Sequence, residues 1–287
     1  MLASMNFVTP GPDGDVRFLL DNGWTGTRQR PVDIDLVDAR PNAGDFRLDR
    51  EGFIIDRIVS GVTDYHDPEQ LTAKWNSAVK ETVLRATGGA WAVLFAGPNT
   101  RFSERSPKAF SSAVSAPARA THNDLHGSFA FDQLAQQPFA EEAVREVTQR
   151  LGSRVPRRWR VYNVWQMISA PPQDTSLALC AMNSVAAEDI VPGKGFFADP
   201  ANATQLEELA NKPHQFDITF FRENSAHKWY YFSDMLPGET LIFSCFDPED
   251  RRHFARVPHG AVDIPGASPN AVPRNSIETR ALVVFDE

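Results

Sequence analysis

Apolar residues recur along the chain with a helical period in two early segments. Between Asp67 and Gly88 they are spaced four positions apart, and Asp67-Pro68 has the composition of a helix cap followed by a first-turn proline. The apolar positions of this predicted helix are Leu71, Trp75, Val79 and Val83. A second helix is predicted over residues 140–151, and a weaker pattern predicts a third over residues 203–210.

The remaining apolar runs are short and bounded by turn residues, which is typical of strands. The predicted strands cover residues 90–95, 159–168, 176–181, 228–232, 240–246 and 277–285. Early helices followed by strands to the C-terminus favour an α+β domain built on a β sandwich or barrel. We predict one domain over residues 1–287, in which residues 183–215 carry few strand signals and form a lid insertion over one mouth of the barrel.

Composition narrows the class of protein without naming a function. The chain has 287 residues, of which 42% are hydrophobic and 23% charged, as in ordinary globular proteins. Its net charge of −8 argues against a duplex nucleic-acid binder. Cys180 and Cys245 lie in apolar runs without zinc-type spacing, so buried thiols are expected. Without a signal-peptide pattern or a membrane-length apolar run, we expect a cytoplasmic protein with no membrane partner, either a monomer or a homodimer.

The candidate chemistry begins with a histidine and a carboxylate two positions apart. His122 and Asp124 would share one face of a strand, and His259 follows much later in the chain. Two imidazoles and one carboxylate are the ligands of a 2-His-1-carboxylate iron(II) site, which leaves positions for a 2-oxo acid and dioxygen. Because a His-x-Asp pair alone is common, His126 and His253 stay open as alternative ligands.

The residues before His259 add a structural context to the candidate site. A Pro-Gly turn at residues 237–238 precedes the apolar strand, and a polar stretch then leads to His259-Gly260. This order of turn, strand, hairpin and histidine looks like the second half of a double-stranded β-helix, a jelly-roll or cupin-like barrel. Flanking helices would complete the predicted fold.

A polar face follows near the C-terminus. Strand alternation places Arg274, Ser276, Glu278 and Arg280 on one side of the last strand. An Arg-x-Ser pair can hold a carboxylate through a bidentate guanidinium and a hydroxyl. Either Arg274 or Arg280 would hold 2-oxoglutarate, and the other would pair with Glu278 or hold a substrate carboxylate. A salt-bridged strand without a ligand is the alternative.

Three further residues are candidates for substrate contact. Asn163 and Trp165 share one face of a predicted strand, where an amide and an indole near a metal could orient a substrate. Arg160 is the member of a short basic run that we expect to turn inward. The alternatives are a core tryptophan with a satisfied amide and a solvated basic face.

Several stretches spread over nearly the whole chain resemble the AsaB-like hydroxylase/desaturase family, iron(II)/2-oxoglutarate oxygenases of bacterial and fungal secondary metabolism. The stretches are residues 48–53, 163–165, 177–180, 227–232 and 274–280. The resemblance implies iron binding by His122, Asp124 and His259. It also implies 2-oxoglutarate binding by Ser276 with one of the two arginines. Residues 96–101 and 245–248 depart from the family pattern, which leaves the identity of the substrate open.

The resulting hypothesis is an iron(II)/2-oxoglutarate-dependent dioxygenase acting on a small secondary metabolite. Iron(II), 2-oxoglutarate and dioxygen would be its cofactors and co-substrates, with ascorbate helpful in vitro. The reaction would oxidise an unactivated C–H bond by hydroxylation, desaturation, or cyclisation or endoperoxide formation. Two alternatives use the same residues: a non-catalytic barrel that binds a small acid, and a zinc-dependent hydrolase.

Overall fold

The part of the chain that the structure describes contains fifteen strands. The computed structural model describes residues 1–12, 14–20, 26–103, 105–106, 114–126, 129–137, 140–197, 216–250 and 256–286. The strands are β1 (Leu2–Thr9), β2 (Val16–Leu20), β3 (Arg28–Asp38), β4 (Phe53–Arg57), β5 (Trp91–Phe102), β6 (Val114–Ser115), β7 (His122–Asn123), β8 (Arg158–Met167), β9 (Thr175–Cys180), β10 (Ile190–Phe197), β11 (Phe216–Phe221), β12 (Trp229–Tyr231), β13 (Glu239–Phe246), β14 (His259–Asp263) and β15 (Asn275–Asp286).

Two helices of three turns or more accompany the strands in the described part of the chain. Helix α1 is a continuous helical stretch built of Pro68–Gln70, a π-helical turn Leu71–Trp75, and Asn76–Thr87. Helix α2 covers Glu141–Leu151. Short 3-10 turns lie at Arg40–Asp45, Phe131–Gln136, Met182–Ser184 and Ala187–Asp189.

The strands form two sheets that enclose an apolar interior. One sheet has nine strands in the order β1-β3-β12-β9-β14-β7-β11-β10-β2, and the other has six in the order β4-β13-β8-β15-β5-β6. Trp165, Leu241 and Phe243 of the six-stranded sheet pack in one cluster with Leu177 and Leu179 of the nine-stranded sheet. The two sheets therefore face each other across this cluster and form a flattened barrel, which agrees with the predicted barrel.

Helix α1 covers the outer face of the six-stranded sheet. The Asp67 carboxylate accepts hydrogen bonds from the backbone amides of Glu69 and Gln70, and Gly88 ends the helix in the left-handed conformation with φ 72°. These are the predicted cap and stop. The apolar positions 71, 75, 79 and 83 are all buried against β8, β13 and β15. Helix α2 also lies where it was predicted, and it packs on a second cluster with Trp159 and Phe246.

Replacing Trp75 with alanine is expected to destabilise the fold by about 3–5 kcal/mol, because Trp75 is fully buried between α1 and the six-stranded sheet and its loss leaves a large cavity. Chemical denaturation would measure this free energy of unfolding. The matched control is Val59→Ala, since Val59 is 81% exposed and its truncation should change stability by less than about 0.5 kcal/mol. Equal effects of the two substitutions would contradict the assigned packing.

The expectation that helices dominate the first part of the chain is wrong. Strands β1 to β4 precede α1. Strand β1 packs over the outer face of the nine-stranded sheet, where Met5 and Phe7 join Ala178 and Val262 in one buried cluster. Strand β1, which is also the edge strand of this sheet, therefore covers part of the outer face of the sheet that carries β7 and β14.

Residues 183–197, the described part of segment 183–215, are less irregular than the sequence suggests. They end in strand β10, which pairs with β11 in the antiparallel sense and with β2 in the parallel sense. The helix predicted at residues 203–210 and the rest of the proposed lid from residue 198 onward lie outside the described residues. The lid and the single-domain boundary stay predictions.

Both cysteines lie in the interior of the protein. Cys180 and Cys245 are free and buried, as predicted, and burial raises the pKa of the Cys180 thiol to about 12. In the described part of the chain, no helix combines the length and the apolar character needed to cross a membrane.

Candidate metal centre and anion site

His122, Asp124 and His259 meet inside the barrel. His122 on β7 and His259 on β14 are directly opposed in antiparallel register, and their ring centroids lie 4.3 Å apart. Asp124 follows the end of β7. Its Oδ1 lies 3.7 Å from Nε2 of His122, and its Oδ2 lies 3.6 Å from Nε2 of His259. One ligand atom from each residue falls within 4.8 Å of the others, so the three can share one metal ion.

Each imidazole is oriented by a backbone carbonyl. Nδ1 of His122 lies 2.7 Å from the carbonyl oxygen of Ala120, and Nδ1 of His259 lies 3.0 Å from that of Val257. A proton on Nδ1 is donated to each carbonyl, which leaves Nε2 as the ligand nitrogen. Burial, followed by the neighbouring His259, lowers the pKa of His122 to about 3, and burial also lowers the pKa of His259. Both rings are thus held neutral, as metal binding requires.

Asp124 is fixed by two side chains of the six-stranded sheet. Nη2 of Arg280 donates to its Oδ1 at 2.5 Å, and Nδ2 of Asn163 donates to its Oδ2 at 2.6 Å. Burial acts to raise the pKa of this carboxyl, but the groups around it, of which Arg280 has the largest effect, hold the pKa well below its usual range. The carboxylate is therefore ionised and oriented towards both histidines.

Arg274 is a buried cation without an ion-pair partner among the described residues. It is 1% exposed. Its Nη1 donates to the Ser176 carbonyl at 3.1 Å and its Nη2 to Oγ of Ser276 at 3.4 Å. Its guanidinium carbon lies 5.0 Å from the centre of the Trp165 ring. Nε of Arg274 and Nε1 of Trp165 are buried without a hydrogen-bond partner in the described structure.

Burial makes the charged form of Arg274 less favourable. Burial, followed by repulsion from Arg101, lowers the pKa of Arg274 to about 9. A buried guanidinium with an unsatisfied donor is what a carboxylate ligand would complete. The arrangement can therefore bind an anion at a distance from the metal cluster, on the same side of β15.

The side chains of β15 alternate between its two faces as predicted, but the ion pairs of Arg280 and Glu278 differ from those predicted. Arg280 contacts Asp124 rather than Glu278 or a free site. Glu278 accepts from Nε and Nη2 of Arg101, at 2.8 and 2.6 Å. Sequence reasoning missed Arg101, although Arg101 and Ser276 are register partners on β5 and β15. The only sequence signal was that residues 96–101 depart from the family pattern.

Arg160 does not turn inward, so that expectation is wrong, while its contact with a substrate stays an untested prediction. Its Nε lies 2.6 Å from Oδ2 of Asp247. Alternation along β8 places Arg160 on the opposite face from Asn163 and Trp165, which do point into the barrel. The alternative ligand His126 does not join the metal cluster formed by described residues, and His253 lies outside those residues.

Comparison with known proteins places this geometry in a family. A family model described as "Oxidoreductase/YMDC permease-like domain" matches residues 5–284. The chain belongs to this family. The predicted resemblance to AsaB-like hydroxylase/desaturases is confirmed by the relatives that it matches. The "hydroxylase/desaturase asaB" of Aspergillus flavus is 31% identical over 45% of this chain and 57% of its own length.

Two longer matches are named as dioxygenases. The "Fe(II)/2-oxoglutarate-dependent dioxygenase nvfI" of Aspergillus novofumigatus is 28% identical over 96% of this chain and 88% of its own length. The "alpha-ketoglutarate-dependent dioxygenase tstK" of Talaromyces stipitatus is 26% identical over 88% of this chain and 84% of its own. The solved structure of an "iron and alpha-ketoglutarate-dependent endoperoxidase NvfI" has a TM-score of 0.77 at 23% identity, covering 100% of this chain and 98% of that one. This likeness confirms the predicted fold, a double-stranded β-helix with flanking helices.

Proposed function

We propose that this protein is an iron(II)/2-oxoglutarate-dependent oxygenase that oxidises an unactivated C–H bond of a small secondary-metabolite substrate. The observation that carries the proposal is the convergence of two imidazoles and one carboxylate inside the barrel. The names of the relatives support the same class of oxidoreductase and the same cofactors: iron(II), 2-oxoglutarate and dioxygen.

The donor set fits iron(II). Two imidazole nitrogens and one carboxylate oxygen form a facial set that leaves positions for other ligands, unlike a closed tetrahedral zinc site. His122, Asp124 and His259 would hold the metal. The chemistry that iron supplies when bound is the activation of dioxygen, coupled to conversion of 2-oxoglutarate to succinate and carbon dioxide.

The residues around the ligands would set their orientation. The carbonyls of Ala120 and Val257 fix the two imidazoles, and Arg280 and Asn163 fix the two carboxylate oxygens of Asp124. Such hydrogen bonds keep metal ligands in place and tune their basicity. Asn163 is thereby assigned to the metal centre rather than to the substrate contact that its sequence position suggested.

Arg274 and Ser276 would hold the distal carboxylate of 2-oxoglutarate. Arg274 offers a buried charge and an unused Nε donor, and the Ser276 hydroxyl lies beside its Nη2. Trp165 packs against the guanidinium and keeps water from that face. Because Arg280 is already paired with Asp124, we assign the 2-oxoglutarate contact to Arg274 alone.

The test is turnover of 2-oxoglutarate. Protein loaded with iron(II) and supplied with 2-oxoglutarate, ascorbate and dioxygen should release succinate slowly even without its true substrate, whereas the same protein under argon should release none. Succinate is measured by chromatography. Folded protein that binds no iron and forms no succinate would point to a non-catalytic acid-binding barrel, and oxygen-independent hydrolysis with zinc would point to a hydrolase.

The small-molecule class of the substrate agrees with the family. A cytoplasmic location and assembly as a homodimer stay predictions from the sequence. Which of hydroxylation, desaturation or cyclisation occurs depends on how the substrate lies against the metal.

A further inference from the structure

Glu278 lies along β15 between Arg280, which contacts the metal cluster, and Ser276, which contacts Arg274. Along β15, the residues that face the barrel pair one by one with inward residues of β8: Ser276 with Met167, Glu278 with Trp165, and Arg280 with Asn163. Glu278 is therefore one strand step from Arg280, which contacts Asp124, and one step from Ser276, which contacts Arg274. A molecule that spans the two ends must pass beside Glu278.

A carboxylate in this position is unfavourable for 2-oxoglutarate. The co-substrate carries two negative charges, and like charges in a partly buried site repel one another more strongly than in water. The Glu278 side chain is 25% exposed, so solvent screens its charge only in part. Left alone, Glu278 would weaken binding of the dianion that Arg274 attracts.

Arg101 compensates this charge directly. It donates two hydrogen bonds to Oε1 of Glu278, at 2.8 and 2.6 Å, and a third from Nη1 to the Ala116 carbonyl at 3.1 Å. The Arg101 side chain is 17% exposed. Because Glu278 and the Ala116 carbonyl both hold the Arg101 guanidinium, its charge stays next to the carboxylate rather than in solvent.

The charges of this pair act on Arg274. After burial, repulsion from Arg101 is the largest cause that lowers the pKa of Arg274, and Glu278 acts in the opposite direction. The pair therefore lies close enough to the candidate anion site to influence the charge there.

We infer that Arg101 is a positioning residue for 2-oxoglutarate, which acts by neutralising Glu278 in the space between the metal ligands and Arg274. The inference rests on the proposed function and deepens it. It assigns a role in accepting the dianion to residues other than the metal ligands, Arg274 and Ser276.

The experiment is a double-substitution cycle read out by binding. Titration calorimetry of iron(II)-loaded protein with 2-oxoglutarate under argon gives Kd without turnover. Arg101→Gln should raise Kd by about tenfold or more, since it leaves Glu278 uncompensated. Adding Glu278→Gln to that variant should return Kd to near the wild-type value, and Glu278→Gln alone should leave Kd unchanged or lower it.

A merely structural role would give a different pattern. If Arg101 served only packing, the double variant would bind as weakly as Arg101→Gln, or more weakly, and this result would overturn the inference. The matched control is Arg40→Gln, which breaks a bidentate ion pair with Glu239 of similar exposure outside the site and should leave Kd unchanged. If Arg101→Gln fails to fold, the Glu278→Gln variant still tests the inference, because weaker binding by that variant contradicts it.

The outcomes separate this inference from the proposed function. Wild-type protein that binds no 2-oxoglutarate would overturn both. Wild-type protein that binds it, together with an Arg101→Gln variant of equal affinity, would overturn only the role of Arg101. Thermal unfolding of each variant identifies those that are folded.

Discussion

Replacing His259 with alanine is expected to abolish iron binding and succinate formation together while the barrel stays folded. His259 supplies one of three ligand atoms, and its ring is held opposite His122 in register. Changes to hydrogen-bond partners of metal ligands typically cost 10–100-fold in affinity, so loss of a ligand itself should cost more than about 100-fold. Iron content after desalting and succinate release by chromatography measure the two effects, and His122→Ala should behave alike.

The matched control for the ligand assignment is His126→Ala. His126 is two residues from Asp124, yet its nearest charges are those of other residues, such as Arg256 and Asp217, and it does not join the metal cluster of the described residues. This variant should keep its iron and its succinate formation within a few-fold of wild type. Retained turnover in His259→Ala, or loss of iron in His126→Ala, would show that the ligands are assigned wrongly.

The fold could be predicted where the hydrophobic pattern is strong. Helix α1 has a cap, a period and a stop, and the central strands β8, β13 and β15 are long and apolar. Strand β3 was not predicted, although Val32, Ile34 and Leu36 alternate with polar residues as in a half-buried strand and Ile34 and Leu36 are buried. Its first four residues, 28–31, are polar or exposed, so no apolar pattern marks where the strand begins.

The candidate site was predictable in part, because its ligands have a local signature. The two-residue spacing of His122 and Asp124 is visible in the chain, although only His122 lies within β7. The partners of Asp124 come from β8 and β15, and no local pattern indicates which arginine of the last strand reaches it. Cross-strand register decides this, and register is a property of the folded sheet.

The same reasoning explains the error at Arg160. Alternation along β8 already separates Arg160 from Asn163, because the two positions differ by an odd number of residues. The basic composition of the run suggested an inward residue, while the pleat dictated an outward one. In a strand, the parity of a position is a stronger indication of its direction than its residue type.

Replacing Arg274 with glutamine is expected to weaken 2-oxoglutarate binding by at least about 30-fold. Truncating one partner of a buried charge pair typically costs about 2–5 kcal/mol, and Arg274 is the buried cation that lacks a carboxylate within the described structure. The KM for 2-oxoglutarate should rise while iron content stays unchanged. A thermal-shift titration supplies a second reading: the Tm of wild-type protein should rise with 2-oxoglutarate, and that of the variant should not.

Arg280→Gln is the comparison that separates the two arginines. Because Arg280 holds Asp124 at the metal centre, its loss should lower iron affinity and kcat and change the KM for 2-oxoglutarate by only a few-fold. Arg274→Lys should recover only part of the lost affinity, since an ammonium keeps the charge but not the bidentate geometry. A larger rise in KM for Arg280→Gln than for Arg274→Gln would reverse the assignment, and equal small effects would remove the anion site from β15 altogether.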